Sequence, residues 1–308
     1  MDGLLIIDKP AGLTSHDVVN RVRRILCTKR VGHTGTLDPF ATGVMVVLVG
    51  QATRLAQFID KDEKEYEATI FFGFETDTGD VTGSPKSEVQ CQKSLVLGDV
   101  ELVLSNFRGE IDQVPPMYSA KKVDGKKLYE LARRGETVDR KPVRVCIYEF
   151  AAIRPEGQLI KDNLDGTFDF HARVSCSSGT YVRTLAEDFG KRLYVGAHLA
   201  ELRRTRVGNL TIDQAITLEH LKIHFGEESI GTVLLPTGAG ISWLPSLHLS
   251  GEDVRRASHG REVKVAETEW ADGDNVRMYD AGEELIAIGR YDASAQSVHP
   301  HVVLGREN

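Results

Sequence analysis

The sequence has few of the groups that build metal centres and cross-links. Cysteine occurs only four times, at Cys27, Cys91, Cys146 and Cys176. No two are close enough for a Cys-x-x-Cys pair, and no His-Glu-x-x-His or clustered His/Cys spacing appears. Zinc, iron–sulfur and disulfide frameworks therefore gain no support, and four free thiols in a reducing compartment are expected. Long apolar runs are missing too. No stretch reaches the ~18 residues of a membrane-spanning helix, so no membrane partner is expected. Leu4–Ile7 is shorter than the ~7–15-residue apolar core of a secretory signal. A cytoplasmic protein is the expectation. Positive charge is in deficit, with a net charge of −7, which taken alone argues against a nucleic-acid partner.

The distribution of charge argues differently. Residues 114–144 carry nine Lys and Arg against four acids, and Arg203, Arg204 and Arg206 form a second basic cluster. From Gly251 onward the balance reverses, with seven basic and twelve acidic residues. A phosphate backbone responds to the local field, so an acidic protein can present a basic face. A solvated helix face is the plainer reading of any one such run.

The length, 308 residues, suits about two domains of ~100–200 residues each. Leu4–Ile7 reads as a strand. Ser15 is placed to cap a helix in which Val18, Val19, Val22, Ile25 and Leu26 keep helical spacing. Val31–Gly43 holds three glycines and a proline and reads as a loop. It runs into the apolar stretch Val44–Val49, a buried strand or a short buried helix. Glu65–Phe72 alternates as a strand does. Thr76–Ser84 reads as an exposed, turn-rich loop, Leu95–Phe107 as a helix, and Lys126–Arg134 as a short helix stopped by Gly135. Val143–Ile153 and Phe168–Cys176 read as strands. Thr180–Leu193 and Asp213–Leu221 read as helices, the latter capped by Asp213. Without a regular βαβ rhythm, an α+β catalytic domain is favoured over a doubly wound sheet. Pro236, Gly238, Gly240 and Pro245 mark a boundary, placed between residues 244 and 245. Short apolar segments beyond it (Val263–Val265, Asn275–Met278, Leu285–Gly289) suit a small β-domain, too small to be very stable alone and expected to pack on the first.

Gly32-His33-Thr34-Gly35-Thr36-Leu37-Asp38-Pro39 is neither a P-loop nor a dinucleotide fingerprint, because the glycine spacing is wrong for both. It offers one carboxylate in a tight loop, and an Asp before Pro reads as a turn residue as readily as a catalyst. Its surroundings add more. Val31–Gly43 resembles the signature loop of the TruB family of pseudouridine synthases, whose Gly-Thr-Leu-Asp-Pro core carries the catalytic Asp. Further segments resemble that family in the same order: Asp8-Lys9-Pro10-Ala11-Gly12-Leu13-Thr14-Ser15, Lys64-Glu65-Tyr66, Pro115-Pro116-Met117-Tyr118-Ser119-Ala120-Lys121, Ser178-Gly179-Thr180-Tyr181-Val182-Arg183-Thr184-Leu185 and Glu201-Leu202-Arg203-Arg204. Together they cover most of residues 3–206.

The resemblance implies isomerisation of uridine 55 in the T-loop of tRNA to pseudouridine, without cofactor or metal and without an obligate protein partner. It implies a pseudouridine synthase catalytic domain over 1–244 with a mixed, mainly antiparallel sheet. Asp38 matches the catalytic carboxylate and Arg183 the arginine that pairs with it, and such a cation is expected to lower the Asp38 pKa. Tyr66 matches the tyrosine that stacks on the target base, its hydroxyl helping to move the C5 proton. Tyr181 and Leu202 match pocket-lining positions, and His33 matches the histidine that fills the gap left by the flipped base. Lys9 matches a lysine with a substrate-side or a structural role. Residues 114–144 resemble the segment that closes over the T-arm, so Lys121, Lys122, Lys126, Lys127, Arg133 and Arg134 are expected to meet phosphates. Leu249–Val254 and His259–Val263 loosely resemble a PUA domain over 245–308, although its acidity argues for a mainly structural part. The alternative on the same scaffold is an RNA-binding or tRNA-folding factor with catalysis secondary. A guide-RNA-dependent relative is less favoured, because the chain lacks a long basic tail.

Overall fold

The computed structural model describes residues 1–59, 62–88, 97–123, 125–153, 157–158 and 160–305. Ten strands form its main sheet: Gly3–Lys9 (β1), Val31–Thr34 (β2), Thr42–Val49 (β3), Lys64–Phe72 (β4), Gly109–Gln113 (β5), Val143–Ala152 (β6), Ile160–Asp162 (β7), Phe168–Cys176 (β8), Ala197–Val207 (β9) and Leu210–Thr211 (β10). The order is β1-β3-β9-β4-β8-β6-β5, with β2 on β3, β7 on β8 and β10 on β9. Every pairing is antiparallel except β3 with β9, so the sheet is mixed and mainly antiparallel, as expected.

β1 and β3 are apolar on both faces because both are covered. Leu4, Ile6, Val44, Val46 and Leu48 join one core, while Leu5, Ile7, Met45, Val47 and Val49 join another. A strand buried on two sides loses its alternation, which is why Val44–Val49 read equally as helix. β4 does alternate, sending Tyr66, Ala68, Ile70 and Phe72 into a third core.

Five local expectations are corrected. Val31–Gly43 is not all loop, since its first four residues are β2, paired from Val31↔Val49 to Thr34↔Val46. The helix Ser15–Ile25 (α1) is capped by Thr14 in a capping box with Asp17, one residue earlier than expected. Asp213 lies inside a 3-10 turn capped by Thr211, and the α-helix that follows is Leu218–Gly226, capped by Thr217. Thr76–Ser84 is only partly exposed, because Thr76 and Asp80 are buried where Asp80 bridges Leu199 of β9. Lys126 and Lys127 form a two-residue strand against Lys122–Val123 before the helix Leu128–Ala132, and Gly135 takes the positive φ of a helix stop. The helix expected over Leu95–Phe107 is present as Leu97–Ser105, while Leu95 lies outside the described residues.

Beyond the main sheet, Ser246–His248, Val263–Lys264, Asn275–Tyr279, Leu285–Asp292 and Ser297–Val303 build a five-stranded sheet with its own core. Leu285, Ile288 and Val302 face the other way, into the core of Leu4, Val44 and Leu55. This apolar seam joins the two sheets, supplemented by Arg54 Nη1 donating to the Val303 carbonyl at 2.5 Å. Among the described residues, no helix is long and apolar enough to cross a membrane.

Candidate active site

One edge of β3 is paired along its length by β1. The other edge changes partner, holding β2 at Val46–Val49 and β9 at Thr42–Gly43. The chain between β2 and β3, which carries Asp38, emerges at this changeover. Several groups fix it there. Ser15 Oγ accepts from the Leu37 N–H at 2.9 Å and donates to the Leu37 carbonyl at 3.2 Å. The Ser15 side chain is thus a tie between α1 and the loop rather than a helix cap. Lys9 Nζ donates to the carbonyls of Pro10, Pro39 and Ala41 at 3.0, 3.2 and 2.6 Å. Burial brings the Lys9 pKa down to about 8, against the pull of Asp38 upward.

Arg183 is the second residue of the helix Val182–Arg192 (α2). A cation there opposes the helix dipole by about 0.3–1 kcal/mol. Carboxylates more than compensate. Arg183 Nε lies 2.9 Å from Asp38 Oδ2 and Nη2 donates to Asp38 Oδ1 at 3.2 Å, a bidentate pair. Nη1 lies 3.3 Å from Asp80 Oδ2 and donates to the Thr78 carbonyl at 2.9 Å, while Nη2 also donates to the Tyr118 carbonyl at 2.6 Å. Asp80 is itself oriented, its Oδ1 accepting from Thr78 Oγ1 and the Thr82 N–H, both at 2.9 Å. The Arg183 side chain is 7% exposed and that of Asp38 32%, so the arginine is fixed and the carboxylate keeps an open side.

That open side faces a cleft of about 390 Å³ whose walls include Lys64, Tyr66, Tyr181, Leu202 and Arg204. Burial holds the Asp38 carboxyl above the ordinary aspartate range. The Arg183 guanidinium pulls the other way and the Asp80 charge pushes further up. The expectation of a lowered pKa is therefore corrected: desolvation outweighs the shared arginine, which serves two carboxylates. Burial likewise raises the Tyr66 phenol, against the Arg204 charge beside it. Among the described residues, no group of three or more His, Cys, Asp or Glu side chains is placed to hold a metal ion.

Comparison with known proteins matches this geometry to a family. Residues 23–182 match the family model described as TruB family pseudouridylate synthase (N terminal domain). Residues 183–241 match the tRNA pseudouridylate synthase B C-terminal domain, and 245–304 match Pseudouridine synthase II TruB, C-terminal. The chain belongs to the TruB family. A relative from Solibacter usitatus (strain Ellin6076), called tRNA pseudouridine synthase B, is 42% identical over 305 residues, covering 99% of this chain and all of its own. One of the same name from Burkholderia mallei (strain NCTC 10247) is 42% identical over 312 residues, covering 99% of this chain and 98% of its own. Among solved structures, an H/ACA RNP bound to a substrate RNA containing 2′-deoxyuridine superposes with a TM-score of 0.74 at 25% identity, covering 99% of this chain and 85% of the other. A Cbf5-Nop10-Gar1 complex does so with a TM-score of 0.73 at 27% identity, covering 98% and 84%.

The TruB-like motifs converge unequally. Asp38, Tyr66, Tyr181, Arg183 and Leu202 all line one cleft. Lys9 does not line it, being fully buried beneath the loop it ties down. His33 is also outside the cleft lining and sits half-buried on β2. Lys122, Lys126, Arg133 and Arg134 are exposed, and Lys121 and Lys127 partly so, on the hairpin and helix beyond Ser119 and Ala120 of the cleft rim. Lys127 and Arg133 both lie over the Tyr129 ring, at 5.5 and 5.4 Å from its centre. The second basic cluster is not a phosphate patch. Arg203 pairs with Asp8 at 2.8 Å, Arg206 with Glu63 at 2.5 Å, and Arg204 is 1% exposed.

Sequence reading misses Asp80 and Gln113, and takes Arg204 only as a member of a basic cluster and of a family-like segment. Gln113 exchanges hydrogen bonds with the Tyr181 backbone, at 3.0 Å to its N–H and 3.3 Å to its carbonyl, and so sets the start of α2. Asp80 stands in a run of Thr, Asp and Gly that has every mark of a surface turn. Nothing local points to its partner in Arg183, 103 residues onward in the chain.

Proposed function

We propose that this TruB-family enzyme isomerises uridine 55 in the T-loop of tRNA to pseudouridine, with Asp38 as nucleophile. The observation that carries this is the bidentate Arg183–Asp38 pair, whose carboxylate looks into a cleft with Tyr66 and Leu202. A uridine must leave its stack to reach that cleft, at a cost of a few kcal/mol. His33 is read as filling the gap, Tyr66 as stacking on the flipped base, and Tyr181 and Leu202 as its walls. Ionised Asp38 adds to C6 of the ring or C1′ of the sugar, and the N1–C1′ bond breaks. The base turns and C5 joins C1′, which displaces Asp38 where it held C1′. The C5 proton then leaves, which expels Asp38 where it held C6, and N1 takes up a proton. We take residues 1–244 as the catalytic domain and 245–308 as a PUA-like domain of mainly structural role. The proposed setting is the cytoplasm, with the T-arm of tRNA as partner and no required protein subunit.

Because Asp38 must be ionised, kcat/KM is expected to fall as pH drops through its raised pKa, at a midpoint above that of an ordinary aspartate. Asp80→Asn removes a negative neighbour and leaves Arg183 more fully to Asp38. Both effects favour the ionised form, so the acid midpoint moves down in this variant. A pH–rate profile of each protein checks this, and a midpoint unmoved or raised contradicts it.

The segment 114–144 is read as closing over the T-arm, where Lys121, Lys122, Lys126, Lys127, Arg133 and Arg134 meet phosphates. Lys126→Gln with Lys127→Gln is expected to weaken tRNA binding and to reduce the slope of log K against log salt by as much as about 2. Affinities measured across a salt series check it, and an unchanged slope removes these lysines from the backbone contact.

A further inference from the structure

Arg204 is one of the most deeply buried side chains in the protein, at 1% exposure. An arginine stays charged in a protein, and a buried charge is costly unless something answers it. Among the described residues no carboxylate pairs with Arg204. Instead Nε donates to the Val44 carbonyl at 2.7 Å and Nη2 to the Gly35 carbonyl at 3.0 Å. The first is at the start of β3 and the second at the entry to the Asp38 loop. The backbone has been shaped to bring Arg204 in. A Cβ on Gly43, its register partner in β3, would run into the Arg204 backbone, and Gly43 adopts a φ of +99°. On its other side Arg204 is the register partner of Tyr66 in β4, and both side chains line the cleft.

Two carbonyls take donors of Arg204 but leave its full positive charge without a fixed anion among the described residues. Resting on the role given to Tyr66 above, we propose that Arg204 is a positioning residue: it holds Tyr66 in the cleft and supplies the cation against which the Tyr66 oxygen carries negative charge as it takes the C5 proton. Once C5 is bonded to C1′ it still bears its hydrogen. That proton passes to the Tyr66 oxygen as the phenol hands its own proton to water. The C5–H electron pair becomes the C5–C6 double bond. Where Asp38 held C6 it is expelled as the carboxylate; where it held C1′ it has already left, and the C6–N1 pair moves onto N1. In either case N1 ends with a proton taken from water. The Arg204 charge lowers the Tyr66 pKa against the larger effect of burial, in the direction the step requires.

Single-turnover rates are measured on tRNA carrying hydrogen or deuterium at C5 of uridine 55. Tyr66→Phe is expected to slow product formation on the order of a hundredfold, the low end for loss of a proton-transfer group. Arg204→Gln is expected to slow it about tenfold or more, tRNA affinity being retained. Both variants should show a C5 isotope effect larger than the unaltered protein's, and the double variant should be little slower than Tyr66→Phe alone. Arg204→Lys, which keeps the charge, should recover part of the rate. It also replaces Arg204→Gln throughout if that variant fails to fold by circular dichroism. A slowed Arg204 variant with an unchanged isotope effect, or a double variant whose losses multiply, makes Arg204 a structural support only and overturns the proposal. Full rate in Tyr66→Phe instead overturns the reading of Tyr66, and the role of Arg204 falls with it.

Discussion

Asp38→Asn is expected to leave tRNA bound within about tenfold of the unaltered affinity, ~1.4 kcal/mol, while pseudouridine formation drops to background. The split follows from where Asp38 sits. Among the described residues its side chain hydrogen-bonds to Arg183 and faces the cleft, and the loop around it is held by Ser15 and Lys9. Asparagine is nearly isosteric, so the loop keeps its shape. Arg183 keeps Asp80, Thr78 and Tyr118 as partners, so the loss of one negative charge does not strand it. The amide lacks the nucleophilic oxygen pair that addition to the base or sugar demands. On the reading proposed above, binding energy is drawn from phosphate contacts elsewhere and not from Asp38. A gel-shift titration beside a single-turnover assay separates the two quantities. Substantial turnover in Asp38→Asn removes the carboxylate from the mechanism. Intact binding with the unaltered protein also inactive favours the RNA-folding reading of the same scaffold.

Arg183→Lys is expected to lower kcat by a factor on the order of 10²–10³, comparable to loss of one preorganised donor at a site of developing charge. Lysine retains the charge but not the fork. Arg183 uses Nε, Nη1 and Nη2 at once to grip two carboxylates and two carbonyls. A single ammonium cannot span Asp38 and Asp80 with the same geometry, so Asp38 loses its bidentate support and its orientation toward the cleft. The arginine also bonds the Tyr118 carbonyl at the base of the basic segment, which ties the Arg183–Asp38 pair to the hairpin proposed to meet the RNA. Rates near those of the unaltered protein would show that charge alone, rather than the fork, supports Asp38.

How much of this was legible in the sequence depended on whether the deciding contacts were local. The helix near Ser15, though not its Thr14 cap, the strand at Glu65–Phe72 and the Gly135 stop are written in neighbouring residues and are readable there. The Asp38 loop was readable through its order among other motifs, not through its own composition. Arg204 misled because Arg203, Arg204 and Arg206 look alike in one dimension. On β9 they meet different surroundings: Asp8 for Arg203, the carbonyls of Val44 and Gly35 for Arg204, and Glu63 for Arg206. Asp80 was hidden because its partner enters from α2 across the fold. The direction of the Asp38 pKa is not legible in the sequence for a related reason. Sequence shows the arginine, but not the second carboxylate that shares it or the burial that outweighs both.

The most direct test is tritium release from a tRNA transcript carrying the label at C5 of uridine 55 alone, beside a transcript labelled only at a uridine outside the T-loop. The enzyme is expected to release tritium from the first to completion and none from the second, with no added cofactor, metal or protein. Release from the second transcript, or none from the first while the tRNA remains tightly bound, would contradict the assignment of uridine 55 as substrate.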